Sequence, residues 1–212
     1  MFNINTYNEI SKKIEILCKK TKIIAVSKNH PKKAVEEALS YGVMIFGENR
    51  VQEASAKFED LKKEHSKLEL HLTGPLQTNK VKNAVNIFDV FHTLDREKLA
   101  KEFFKVGALQ NKKFFIQVNT GKEETKSGIY LEELSEFVDY CKIELSLNVI
   151  GLMCIPPIDD HPKKHFSILA DEAKKHNLPQ LSMGMSADYM EAIKYNASFI
   201  RIGTALFGQR KK

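Results

Sequence analysis

The sequence predicts a single (β/α)8 barrel, an α/β fold in which eight parallel strands close into a cylinder surrounded by helices. Short apolar runs alternate along the 212 residues with segments of helical periodicity. There are eight such runs, at a spacing of roughly 25 residues. Polar residues or glycine follow most of them, where a barrel builds its site. A doubly wound sheet is the competing fold, but no G-x-G-x-x-G follows any run, and the count of eight favours the barrel.

The predicted elements begin with an amphipathic helix within residues 1–20, where Ile10, Ile14 and Leu17 share one face. The eight predicted strands are, in order, "KIIAVSK", "VMIFGEN", "LELHLTG", "DVFHTL", "KFFIQVN", "LNVIGLMC", "QLSMGM" and "SFIRIGTALFG". Helices are predicted between them, for example in "AVEEAL", "REKLAKEFFKVGAL" and "YLEELSEFVDYC". No low-complexity stretch or Pro/Gly-rich linker interrupts the chain, so residues 1–212 are expected to form one domain.

The composition argues against membrane and nucleic-acid partners. No apolar run approaches the roughly 18 residues of a membrane span, and the N-terminus lacks a signal-peptide pattern, so a cytoplasmic protein is expected. The formal charge is +6, but the lysines are scattered and often stand beside glutamates, as in "EDLKKEH". This pattern is typical of a solvated surface.

The cysteines and histidines do not suggest a metal site. Cys18, Cys141 and Cys154 are odd in number and far apart, which favours reduced thiols over a disulfide framework. His161 and His165 stand four positions apart in "HPKKH", but Pro162 lies between them. No metal is therefore expected.

The ends of strands seven and eight suggest an anion site. In "SMGMSADYMEA" a glycine lets the backbone approach a ligand, and Ser186 is predicted to cap a helix that begins near Ala187. "RIGTALFG" adds Gly203 and Thr204 after strand eight. Barrels often hold phosphate in these two loops.

Lys28 ends the first buried strand, and an amine there is costly unless it has a use. A neutral amine can attack an aldehyde and form a Schiff base. Because strand eight closes onto strand one, Lys28 is expected beside the anion site. A small phosphorylated aldehyde such as pyridoxal phosphate would bridge the two. A salt-bridged lysine at the barrel mouth is an equally weighted alternative on position alone.

Six motifs in order carry a family resemblance. They are "AVSKNHP", "FGENRVQE", "HLTGPLQTNK", "GLMCIPP", "LSMGMSADYMEAI" and "RIGTALFG". Along nearly its full length the chain resembles the pyridoxal phosphate homeostasis protein family. It departs in having Leu70, where the family commonly has tryptophan before the histidine of strand three.

The resemblance implies a barrel like the alanine racemase N-terminal domain, with the cofactor carried on Lys28 as an aldimine. It implies that Ser186, Thr204 and Gly203, after strands seven and eight, hold the phosphate. It also implies that Asn49 and His71 line the pocket and that Arg201 faces the pyridine nitrogen.

The expected function is intracellular pyridoxal phosphate homeostasis without catalytic residues. Arg201 would keep the ring nitrogen unprotonated and the ring a weak electron sink. The chain ends at Lys212, soon after strand eight, and is expected to lack a second domain with a second base. A pyridoxal phosphate-dependent racemase and, less favoured, a cofactor-free Schiff-base aldolase are the alternatives. Expected partners are pyridoxal phosphate and candidate apoenzymes that use it, and the expected state is a monomer or weak dimer.

Overall fold

The predicted barrel is confirmed. A computed structural model describes residues 1–18, 20–107 and 109–209, and its eight strands form one closed parallel barrel in sequence order. The strands are β1 (Lys22–Val26), β2 (Ile45–Glu48), β3 (Glu69–Leu72), β4 (Val90–Leu94), β5 (Lys113–Gln117), β6 (Val149–Met153), β7 (Gln180–Met185) and β8 (Phe199–Ile202). Strand β8 closes the cylinder by pairing with β1, with Ala25 opposite Ile202.

Helices lie on the outside of the barrel, one before β1 and the others after strands. They are α1 (Ile4–Leu17), α2 (Lys32–Ser40), α3 (Val51–Glu64), α4 (Val81–Ile87), α5 (Glu97–Val106), α6 (Leu134–Asp139), α7 (Pro162–Lys175), α8 (Tyr189–Lys194) and α9 (Thr204–Phe207). A 3₁₀ turn, Thr78–Lys80, precedes α4, and a π-helical turn, Tyr140–Glu144, continues α6. Among the described helices, none combines the length and apolarity needed to traverse a lipid bilayer.

Successive strand residues point alternately into the barrel and toward the helices. The interior apolar cluster takes six residues from five strands: Ile24, Val26, Val90, Phe115, Met153 and Phe199. The alternate positions, such as Phe46 and Leu70, pack outward, and the Phe46 ring lies 5.5 Å from that of Phe58 on α3. Several interior positions are polar, and their side chains are hydrogen-bonded to one another inside the barrel.

Helix α1 packs beside α9, the last helix that the structure describes. The Asn3 side chain accepts a hydrogen bond from the Thr6 amide (3.0 Å) and caps the helix, and the Asn3 amide donates to the Leu206 carbonyl (2.7 Å). Ile10 and Ile14, which the sequence places on one face with Leu17, are buried. Leu17 is 55% exposed, because the helix ends at that residue.

Candidate functional site

Lys28 lies in the turn directly after β1 and is half-buried. The turn is held from several directions. The Ser27 amide donates to the Gly47 carbonyl (3.0 Å), and the His30 amide donates to the Ser27 carbonyl (3.0 Å). Asn29 adopts a left-handed conformation (φ 63°), which asparagine tolerates well, and its amide donates to the Glu53 carboxylate. The backbone that carries the amine is therefore fixed at the mouth of the barrel.

A buried charge cluster lies beneath this turn. The Nζ of Lys57 on α3 donates to the Ser27 carbonyl (2.8 Å), to Oε1 of Glu48 (2.9 Å) and to Oε1 of Glu53 (2.6 Å). The Ser27 hydroxyl also donates to Glu48 (2.7 Å). Burial raises the pKa of Glu48, while Lys57 and Ser27 act in the opposite direction. The cluster thus ties the Lys28 turn to β2 and α3.

The loops after β7 and β8 lie at the same end of the barrel. Ser186 and Thr204 are both exposed there. The prediction that Ser186 caps the following helix was wrong: α8 begins at Tyr189 with Asp188 before it. The Asp188 carboxylate instead accepts from the Met185 amide (2.6 Å), so residues 186–188 form a turn and the Ser186 hydroxyl is not used as a cap.

Gly203 brings the β8 loop against the strand that carries Lys28. A Cβ at Gly203 would lie 3.3 Å from the Val26 carbonyl oxygen, two residues before Lys28. The His30 ring also stacks on Phe207 of α9, with ring centroids 5.4 Å apart. The amine and the predicted anion loop therefore sit on adjacent strands, as the closed barrel requires.

Asn49 follows β2 and lines a cavity of about 770 Å³ over the ends of β2, β3 and β4. Its Oδ1 accepts from the Thr73 hydroxyl (3.0 Å). Thr73 also lines a neighbouring cavity of about 320 Å³, and both cavities share Pro75 and Ser127. The mouth has space for a small ligand on this side.

His71 lies inside the barrel, fully buried, with both ring nitrogens engaged. Its Nε2 pairs with Glu69 (2.8 Å) and its Nδ1 with Nε2 of His92 (2.7 Å). Its contact with the mouth is therefore indirect, through His92 on β4 and Ser182 on β7, which pair at 2.7 Å.

Arg201 also points into the barrel and is buried. One terminal nitrogen donates to the Ser182 hydroxyl (2.7 Å) and the other to the Cys154 carbonyl (2.9 Å), directly after β6. Burial lowers the pKa of Arg201, although Cys154 and Asp188 oppose that effect.

Glu69, His92 and Ser182 were missed by sequence reasoning. Each occupies an interior position of its strand, next to an apolar residue that packs outward: Leu70, Phe91 and Met183, respectively. Polar residues at the inward positions of buried strands are the signal that could have found them.

His165 is buried and pairs with the Thr120 hydroxyl (3.0 Å) and with Asp160 (3.1 Å), while His161 precedes α7 and accepts from the Lys163 amide (3.3 Å). These contacts join the loops after β5 and β6. Over the described ranges, no cluster of three or more His, Cys, Asp or Glu side chains could hold a metal ion.

Comparison with known proteins matches this architecture. The family model "Alanine racemase, N-terminal domain" matches residues 5–211. A pyridoxal phosphate homeostasis protein of Aquifex aeolicus (strain VF5) is 41% identical over 203 residues, covering 90% of this chain and 87% of the relative.

Solved structures agree. PipY of Synechococcus elongatus PCC7942 without PLP has a TM-score of 0.79 at 35% identity, and with PLP bound a TM-score of 0.76 at 33% identity. Each comparison covers 94% of this chain and 100% of PipY. Alanine racemase from Corynebacterium glutamicum shares the fold alone, with a TM-score of 0.68 at 16% identity over 96% of this chain and 60% of the racemase. The sequence match and the closed barrel together show that this chain belongs to the pyridoxal phosphate homeostasis protein family, whose barrel is of the alanine racemase N-terminal type.

Proposed function

We propose that this protein binds pyridoxal 5'-phosphate at the mouth of its barrel and serves intracellular homeostasis of that cofactor. The names of the relatives and the PLP-bound PipY structure support this proposal. The observation that carries it is the position of the Lys28 turn beside Gly203 on the adjacent strand. The proposed binding residues are Lys28, Asn49, Ser186, Arg201, Gly203 and Thr204. His71, predicted to line the pocket, would act on it only indirectly, through His92 and Ser182.

The side chains suit the three reactive parts of the cofactor. An aldehyde needs an amine, which Lys28 supplies. A phosphate needs hydroxyl and amide donors, and the loops that hold Ser186 and Thr204 supply them while Gly203 leaves room for close approach. A pyridine nitrogen needs a donor, and Arg201 uses only two of its five N–H groups in the described contacts.

Covalent attachment would occur at Nζ of Lys28. When bound, the cofactor would supply an electrophilic aldehyde, and the neutral Nζ of Lys28 would be the nucleophile that holds it. The chain contributes the fixed turn, in which the hydrogen bonds of Ser27, Asn29 and Lys57 keep the lysine backbone in place. Fixing the amine beside a phosphate site raises the effective concentration of the two reacting groups.

We propose a carrier and not a catalyst. The supporting feature is Arg201, because a guanidinium next to the ring nitrogen disfavours protonation of that nitrogen. With Arg201 in this position a bound ring would be a weak electron sink, which would disfavour transamination and decarboxylation. The relatives, which are named as homeostasis proteins, agree with this reading.

The test is covalent labelling of the holo-protein. Wild type is loaded with pyridoxal phosphate, reduced with borohydride, digested and analysed by mass spectrometry; the added mass is expected on the peptide that contains Lys28. Lys28→Ala should lose the label. Lys33→Ala, which removes an exposed lysine of α2, is the matched control and should keep it.

A label on another lysine in wild type would refute the site. The carrier reading is checked on the same holo-protein with L-alanine in heavy water. Deuterium should not enter the α-position at an enzymatic rate, about 1–1000 per second. Exchange at such a rate would favour the alternative function, a racemase, over the carrier.

A further inference from the structure

A continuous chain of hydrogen-bonded side chains runs through the barrel interior. It begins at Glu69, the first residue of β3, and continues by contacts of 2.8, 2.7, 2.7 and 2.7 Å. In order, its members are Glu69, His71, His92, Ser182 and Arg201. Since Arg201 also binds the carbonyl of Cys154 just after β6, the chain joins the base of the barrel to its mouth.

The partners dictate the direction of every hydrogen bond. A hydrogen bond from His71 lowers the pKa of Glu69 to about 2, with Lys113 (3.4 Å) helping, so Glu69 is a carboxylate and can only accept. Nε2 of His71 therefore donates, and its Nδ1 accepts from Nε2 of His92. Nδ1 of His92 accepts from the Ser182 hydroxyl.

Both histidines are neutral in this arrangement. Burial lowers the pKa of His71, which faces Glu69, Asp89 and Lys113. Burial also lowers the pKa of His92 well below its usual value, and the positive charge of Arg201 adds to the effect. Each histidine is thus held as the Nε2–H tautomer by its two neighbours.

At the mouth, the direction of the chain decides how Arg201 is held. The Ser182 hydrogen is committed to His92, so the lone pairs of the hydroxyl oxygen remain for Arg201. The cation at one end and the carboxylate at the other polarise the intervening bonds in the same sense.

We propose that Glu69, at the opposite end of the barrel, is a remote positioning residue for the cofactor pocket, acting on Arg201 through the directed chain of His71, His92 and Ser182. The effect on the cofactor depends on the proposed function; the effect on the histidine tautomers does not. A purely structural polar core would stabilise the barrel without transmitting a change from Glu69 to the mouth.

The first experiment uses the cofactor-free protein. Long-range ¹⁵N–¹H spectra of ¹⁵N-histidine protein are recorded, with His71→Gln and His92→Gln assigning the two signals among the seven histidines. Both are expected as neutral Nε2–H tautomers at neutral pH. In Glu69→Gln the amide can donate or accept, so both signals should shift toward mixed tautomers. Lys113→Met, which keeps the carboxylate, and Glu59→Gln, at an exposed position of α3, should change neither tautomer.

The second experiment titrates pyridoxal phosphate into the same variants and follows absorbance. Glu69→Gln should weaken binding by about 2–30-fold and move the band of the bound cofactor. Ser182→Ala breaks the link between His92 and Arg201, so adding Glu69→Gln to it should have no further effect on affinity. If Glu69→Gln does not fold, Ser182→Ala alone tests whether breaking the chain weakens binding.

The outcomes separate the two proposals. If wild type binds no pyridoxal phosphate, the proposed function fails, while the tautomers still test the chain. If Glu69→Gln leaves tautomers, affinity and spectrum at wild-type values, or if its effect persists unchanged in Ser182→Ala, the remote role of Glu69 is overturned.

Discussion

At the scale of single residues, Lys57 determines how firmly the Lys28 turn is held. Its ammonium group is almost completely buried and satisfies both the Ser27 carbonyl and the Glu48 carboxylate. Lys57→Met would leave Glu48 buried without its cation, and removing one partner of such a pair costs about 3–5 kcal/mol. We expect this loss in the free energy of unfolding measured in urea.

Two further variants sharpen that measurement. Lys63→Met removes an exposed lysine of the same helix and should change stability by less than about 0.5 kcal/mol. Adding Glu48→Gln to Lys57→Met removes the unpaired charge and should recover part of the loss. Equal unfolding midpoints for Lys57→Met and wild type would contradict a stabilising role for the cluster.

Sequence reasoning reached some residues of the site more easily than others. Lys28 was predictable because an amine after a buried strand is conspicuous, and Arg201 because a family motif contains it. The pairing of His71 with His92 was not predictable, because it depends on strand register and on the tilt of two neighbouring strands. Those quantities are set by packing of the whole barrel.

At the scale of elements, the glycines of β7 and of the loop after β8 have different roles. Gly184 has φ +90°, and a Cβ there would lie 2.6 Å from the Ala192 Cβ on α8. Gly184→Ala should therefore destabilise the protein by more than about 1 kcal/mol. Gly203 has φ −115°, so Gly203→Ala should fold but crowd the phosphate loop.

Thermal unfolding and titration distinguish these roles. Gly42→Ala is the control for Gly184→Ala, because Gly42 has φ +83° with open space around it. Gly203→Ala should bind pyridoxal phosphate less tightly than wild type, with a smaller change for pyridoxal. Unchanged selectivity between pyridoxal phosphate and pyridoxal would show that the β8 loop does not bind the phosphate.

The eight strands were predictable because buried parallel strands read as apolar runs bounded by polar residues. The residues at which the strands end were harder to predict. The run "SFIRIGTALFG" divides into β8 and the short helix α9 at Gly203. Apolar content alone does not separate a buried strand from a buried helical turn.

At the scale of the whole molecule, Glu69 makes stability depend on acid. Its pKa falls from the usual 4.5 to about 2 in the folded protein, mainly through the His71 hydrogen bond. A lowered folded-state pKa adds stability above about pH 4.5 that is lost as pH falls toward 2. The contribution is at most about 3 kcal/mol, since the side chain is 28% exposed.

Unfolding in urea at several values between about pH 5 and pH 3 tests this contribution. Wild type should lose more stability over that range than Glu69→Gln, which is already weaker at neutral pH. Glu59→Gln, on the exposed side of α3, should follow wild type. Parallel curves for wild type and Glu69→Gln would show that the carboxylate gains no stability from His71.

The closure of β8 onto β1 has a consequence for the order of events during synthesis. The Thr21 hydroxyl donates to the Ala197 carbonyl across 176 positions of sequence, and over the same seam Gly203 approaches the carbonyl of Val26, two residues before Lys28. Contacts so distant in sequence form late, because a long loop must close first. A nascent chain on the ribosome has Lys28 from the start but neither Arg201 nor Thr204. A ligand that needs both sides of the seam is thus captured only by a finished barrel, and its binding marks the end of folding.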